Sequence, residues 1–184
     1  MHIEDAQRDV RTVFAGGFYG QMVCAVIWLA SAALATWVSP KASITTAVVG
    51  GFFIYPLTLL SLHVSGRSAA LASGNPLGQL GMQVAIGGAI PMLLLVPVAQ
   101  LRLTLFFPAL MIIIGAHYLP FIFLYGMRAF LPLSAALAGG GVLLALYAPH
   151  SFSLGAWIGG AILFVFAWVL RFSVPASAGN ASSY

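Results

Sequence analysis

The stretch FFPALMIIIGAHYLPFIFLYGM, from Phe106 to Met127, is apolar over a length that crosses the hydrocarbon core of a bilayer. Runs of similar length and character flank it on both sides, and together they restrict the chain to a membrane architecture. The solvent for most of this chain is lipid, because no soluble domain of its size could hide so much apolar surface. Of its 184 residues 61% are hydrophobic and 5% are charged, where a soluble domain carries about a quarter charged residues; the mean hydropathy is +1.05. All three acids, Glu4, Asp5 and Asp9, precede the first apolar run, so every predicted span lacks a carboxylate. The net charge of +4 comes from arginines and one lysine scattered singly, which form no nucleic-acid-binding patch. The single cysteine, Cys24, excludes an internal disulfide framework and any Cys-rich metal motif.

Taken in order, residues 3–14 predict a short amphipathic helix. Ile3, Gln7, Val10 and Phe14 fall at helical spacing, and Glu4 with Arg8 has the favoured order for an i,i+4 ion pair. Residues 1–12 thus form a cytosolic lead-in, solvated or lying in the interface. Residues 18–29 resemble the apolar core of a secretory signal, and Ala33-Leu34-Ala35 resembles a cleavage site. The leading segment is acidic as well as basic, however, and apolar character continues to Trp37, which favours an uncleaved first helix.

The spans are expected at residues 13–38, 42–64, 77–100, 106–127, 129–148 and 153–172. Gly16 and Gly20 make a small-xxx-small pair in the first, and Gly155 and Gly159 make another in the sixth. Ser39-Pro40-Lys41, Ser73-Gly74-Asn75-Pro76 and Pro149-His150-Ser151 are breaks. Pro91 and Pro97 predict a bent third span. The segment 173–184 is small and polar, a disordered cytosolic tail by composition. The fold class is all-α: a polytopic six-transmembrane-helix bundle with a short N-terminal amphipathic helix, forming one domain over 13–172. Six spans put both termini on one side. With that side cytosolic, Arg8, Arg11, Arg67, Arg128 and Arg171 are inside and Lys41 and Arg102 outside, the expected positive-inside bias. Gly51 precedes Pro56 as Gly115 precedes Pro120, in two spans of the same direction, a faint echo of a parallel repeat.

Depth follows from a helical rise of about 1.5 Å per residue. Counted from the cytosolic ends, Gln21, Tyr55, Gln83 and His117 all lie about 10–15 Å below the inner surface. Cys24 and Thr58 are close to the same level. Four polar side chains from four helices sharing one layer are expected to turn inward, since facing lipid would leave them without partners. They serve either as helix-to-helix glue or as the lining of a ligand or transport site.

Sharper chemistries fit less well. A bis-histidine haem needs two ligands at matching depth, and His63 lies near the inner boundary, well away from the level of His117. His2 and His150 lie outside the spans. His117 with Cys24 makes two metal ligands where zinc or copper needs three or four, so no metal and no cofactor is expected. Met22, Met82 and Met111 read as core filler. No carboxylate can orient His117 in a triad, and no G-x-S-x-G motif occurs. The glycine clusters sit inside apolar spans and form neither a phosphate-cradling loop nor a dinucleotide fingerprint.

The opening I-E-D-A-Q-R-D-V-R-T at Ile3 to Thr12, G-G-F at Gly50 to Phe52, and G-A-H-Y-L-P-F-I-F-L-Y-G-M at Gly115 to Met127 resemble an uncharacterised family of small bacterial integral membrane proteins. The resemblance runs from the N-terminus through the fifth span. It implies a bacterial inner-membrane protein, with no activity and no functional residue to carry over. The leading functional expectation is therefore a small transporter, channel-like or ligand-binding protein with its site at the Gln21–Tyr55–Gln83–His117 layer. An accessory scaffold that packs a partner through its glycine-rich helices comes second, and a membrane-embedded enzyme using His117 third. The expected partners are the bilayer and another membrane protein or a second copy, with no nucleic acid.

Overall fold

A computed structural model describes residues 1–148 and 150–174. The elements are α1 (Ile3–Val13), α2 (Phe18–Trp37), α3 (Pro40–Val64), α4 (Leu77–Ala89), α5 (Leu95–Leu101), α6 (Phe106–His117), α7 (Leu119–Tyr125), α8 (Phe130–Tyr147) and α9 (Phe152–Ser173), with 3₁₀ turns at Ala15–Gly17, Ile90–Leu94 and Leu103–Leu105. There is no strand among the described residues. Six helical stretches, Ala15–Trp37, Pro40–Val64, Leu77–Leu101, Leu103–Tyr125, Phe130–Tyr147 and Phe152–Ser173, are long and apolar enough to cross a membrane. The predicted all-α six-span architecture is the observed one. Ser173 closes the last helix, and the rest of the expected tail, from residue 175, lies outside the described residues.

Two helix pairs and a linking helix make the centre. The α2 helix packs against α3 on one side and α9 on the other, α6 packs against α8, and α9 also touches α6 and α8. The broken span α4–α5 leans on α6 and α7 from outside. Close approach is made by glycine. A Cβ on Gly115 would lie 2.7 Å from the Ala138 nitrogen and 2.9 Å from the Ser134 oxygen, and one on Gly141 would lie 2.6 Å from the Pro108 oxygen, so α6 and α8 meet backbone to backbone. Gly159 and Gly160 of α9 likewise receive Trp28 and Leu29 of α2. In the glycine-rich fifth and sixth spans, Gly141, Gly159 and Gly160 thus pack inside the bundle, while Gly139 faces open space.

Helix starts follow local rules. Ser39 Oγ accepts the Ala42 N–H at 3.1 Å and Pro40 takes the first position of α3. The first span differs from expectation at its entry. Ala15, Gly16 and Gly17 all have positive φ, 49°, 66° and 89°, and the chain turns sharply between α1 and α2 there. Gly16 is therefore a hinge residue packed on Val174 rather than one member of a helical small-xxx-small pair; Gly20 alone serves close packing, with Thr58 Oγ1 3.3 Å from where its Cβ would be.

That turn folds α1 onto the bundle. Ala6 and Val10 are fully buried, and the polar groups of α1 are tied to three distant segments. Gln7 Nε2 donates to the Phe123 carbonyl at 2.6 Å, which also accepts the Gly126 N–H, and Arg11 Nη1 donates to the Tyr125 carbonyl at 2.5 Å at the end of α7. Asp9 Oδ2 accepts from the Ala72 N–H at 2.9 Å and from Asn75 Nδ2 at 2.7 Å, while Arg67 Nη2 donates to the Thr12 carbonyl at 2.7 Å. The helix is docked, where the periodicity alone predicts a solvated lead-in. Arg8 pairs with Asp5 at 3.4 Å instead of with Glu4.

Candidate functional site

Two of the six spans are discontinuous, and His117 sits where they touch. The fourth span breaks at Tyr118: α6 ends on His117, α7 begins at Leu119, and Pro120 in its first turn supplies no N–H for the Ala116 carbonyl. The third span breaks over Ile90–Leu94, a 3₁₀ stretch containing Pro91. Gly88, in the last turn of α4 before that break, is the seat of the His117 ring. A Cβ on Gly88 would collide with Nδ1 and would lie 2.5 Å from Cε1 and 3.0 Å from Cγ. The ring is half-buried, meets Phe121 edge to face at 5.2 Å, and lies 6.1 Å from the ring of Tyr118. Its nitrogens make no hydrogen bond among the described residues, which leaves a donor and an acceptor free at the junction of α4, α6 and α7.

Behind the histidine lies an aromatic block. Tyr118 stacks on Phe130, Phe121 stacks on Tyr125 with their planes 9° apart, and Phe130 touches both Phe121 and Tyr125. The Tyr118 phenol lies near the Cys24 thiol of α2, where the block meets the first span. Ser134 Oγ of α8 donates to the Gly115 carbonyl at 2.6 Å, fixing α6 two residues before its end.

The four residues of the predicted layer are placed differently. Gln21 is buried at 3% exposure and donates through Nε2 to the Leu163 carbonyl at 3.3 Å, joining α2 to α9. His117 faces α4. Tyr55 is 64% exposed on the outside of α3, and Gln83 is exposed on α4. The inward stripe of α3 runs through Ser43, Thr58 and Leu62, and that of α4 through Leu77, Val84 and Gly88. Tyr55 and Gln83 are each one residue off those stripes (Ile54 packs on the core beside Tyr55), which turns a side chain by about 100°. The expected inward turn therefore holds for Gln21 and His117 and not for Tyr55 and Gln83, and the inward pair lies at two different interfaces. Of the secondary residues, Cys24 meets Tyr118, and Thr58 is buried with Oγ1 donating to the Ile54 carbonyl at 2.7 Å.

Sequence reasoning passed over Tyr118, Tyr125 and Ser134, each buried in the core. Tyr118 was legible as the neighbour of His117 in a segment with a proline two residues on. Among the described residues no three of His, Cys, Asp and Glu converge in a way that could hold a metal ion.

No curated protein matches the chain, and no solved structure matches it. The model of one family does match, over residues 3–173. The chain belongs to that family, DUF7010, a family of unknown function.

Proposed function

We propose that the protein is a small ligand-binding or transporting membrane protein whose site is the junction of the two broken spans at His117. The observation that carries this reading is the seating of an imidazole without a hydrogen-bond partner on Gly88, between breaks in two adjacent spans. Discontinuous helices expose backbone groups that a substrate or ion can use, and such irregular backbone is tolerated at membrane depth where it lines a cavity or is buried in protein. His117 would supply a hydrogen bond to a small polar ligand, and Phe121 and Tyr118 its walls. Cys24 lies where the first span meets this block, and Gln21 ties that span to α9.

The five arginines Arg8, Arg11, Arg67, Arg128 and Arg171 support a cytosolic placement of both termini in a cytoplasmic membrane. Arg67 bonds α1, Arg11 bonds the end of α7, and Arg171 lies 5.9 Å from the ring of Phe18 at the start of α2, so these groups share one end of the bundle.

The test uses His117→Cys in a Cys24→Ala background, probed in sealed vesicles with a membrane-impermeant thiol reagent. Labelling from one face is expected, and it should be blocked when Gly88→Leu fills the seat. Absence of labelling from both faces, with the protein folded, would reduce the junction to dry packing. A second reading, an accessory scaffold, is favoured by the outward Tyr55 and by Gln79 and Gln83, two amides a turn apart on the exposed side of α4. Amides in hydrocarbon lack partners, and another membrane protein or a second copy would provide them. Cross-linking at Gln83→Cys to itself or to a co-purifying protein distinguishes that role.

A further inference from the structure

At the end of the bundle that carries α1, a cavity of about 350 Å³ is lined by Arg11, Gly126, Met127, Arg128, Ala129 and Ser173. It is a different place from the His117 junction. Among the described residues that line it, two carry guanidinium groups and none is an acid. Of the acids of α1, Asp5 faces Arg8, and Asp9 accepts from Ala72 and Asn75. Arg11 uses one donor on the Tyr125 carbonyl, which fixes the guanidinium at the cavity and leaves its remaining N–H groups available. Arg128 is exposed and makes no hydrogen bond or ion pair among the described residues. Ser173 already donates to the Val169 carbonyl at 2.7 Å, so the free donors are the two arginines.

The chain geometry opens the cavity between them. Gly126, at φ 60°, ends α7 in a left-handed turn, and a Cβ there would lie 2.5 Å from Gln7 Oε1 and 2.8 Å from Arg11 Nη1. Arg128 and Ala129 follow at once and lead into α8. The level is that of the membrane interface: Trp168 and Phe172 are exposed side by side at the end of α9, and Arg171 lies over Phe18.

We propose that this cavity binds a phosphate-bearing anion through Arg11 and Arg128, with the headgroup of an acidic phospholipid as its source. Paired guanidinium groups match phosphate oxygens in geometry and charge, and basic pockets between spans at the interface are suited to lipid phosphates.

The test is native mass spectrometry of the full chain released from nanodiscs holding equal amounts of phosphatidylglycerol and phosphatidylcholine. The wild type should retain phosphatidylglycerol preferentially. Arg128→Gln should lower that preference about fivefold, the effect of one surface arginine, Arg128→Lys should keep most of it, and Arg8→Gln, on the same end but outside the cavity, should leave it unchanged. In a second arm, inorganic phosphate is added to the protein in pure phosphatidylcholine nanodiscs. A rise in Tm seen in the wild type and absent in Arg128→Gln would support the anion site and assign its source to the aqueous phase. Equal retention of the two lipids with no effect of phosphate would overturn the proposal. So would a preference that Arg8→Gln reduces as much as Arg128→Gln does.

Discussion

His117 and Gly88 define each other. The imidazole occupies the space where any Cβ on α4 would be, so the position of the ring is set by an absence on the neighbouring helix. Gly115, two residues earlier on the other face of α6, does the same for α8. Gly115→Val is expected to destabilise the protein by about 1–3 kcal/mol through overpacking against the Ser134 and Ala138 backbone, measured as unfolding in mixed micelles. Ser134→Ala, which removes the 2.6 Å bond to the Gly115 carbonyl, should cost about 0.6 kcal/mol, the scale of such bonds between membrane helices. A loss for Ser134→Ala equal to that for Gly115→Val would mean that the hydroxyl, and not the close approach, holds the pair. At this scale the sequence was informative about which residues matter and silent about where they point. A rise of about 1.5 Å per residue gives depth, which is why Gln21, Tyr55, Gln83 and His117 could be assigned one level. Direction around the axis depends on which stripe is buried, and in helices apolar on all sides the pattern carries almost no directional signal. Tyr55 and Gln83 were lost to that ambiguity.

Elements were legible where apolar runs end in proline, serine or glycine, so the six spans fall within a few residues of expectation. The bend of the third span was legible from Pro91, while Pro97 lies inside α5 and the break of the fourth span before Pro120 was not anticipated. Pro120→Ala supplies an N–H where the proline ring has none and should let α6 and α7 run together, with labelling of His117→Cys sharply reduced. Labelling that persists at the wild-type rate would show that the break does not hold the ring in place. What the pattern missed was the role of α1. Its apolar face predicts an interface-lying helix; its polar residues Gln7, Asp9 and Arg11 do the docking, and their hydrogen-bond partners lie in segments remote in sequence. Arg11→Ala is expected to release the C-terminal half of α1, at about 1.5–3 kcal/mol for a charged hydrogen bond, visible as faster amide exchange over residues 3–13. Unchanged exchange would mean that burial of Ala6 and Val10 suffices.

The whole molecule has a firm centre and a looser margin. The four helices α2, α6, α8 and α9 hold most of the large buried side chains, including Phe106, Phe107, Met111, Leu133, Leu137 and Leu163. By contrast α3 packs chiefly on α2, and α4–α5 on α6 and α7. An even number of spans puts both termini on one face of the membrane; tags at residue 1 and after residue 184 should be digested by protease from the same face of sealed vesicles, and digestion from opposite faces would remove the topology and with it the depth assignment of His117.

The bonds from Gln7 and Arg11 to Phe123 and Tyr125 also set an order of events during synthesis. Helix α1 is made before the fourth span, so these two bonds have to wait until that span has been delivered to the membrane. A nascent chain halted before Phe123 holds α1 through Arg67, Ala72 and Asn75, and the latch to α7 closes afterwards.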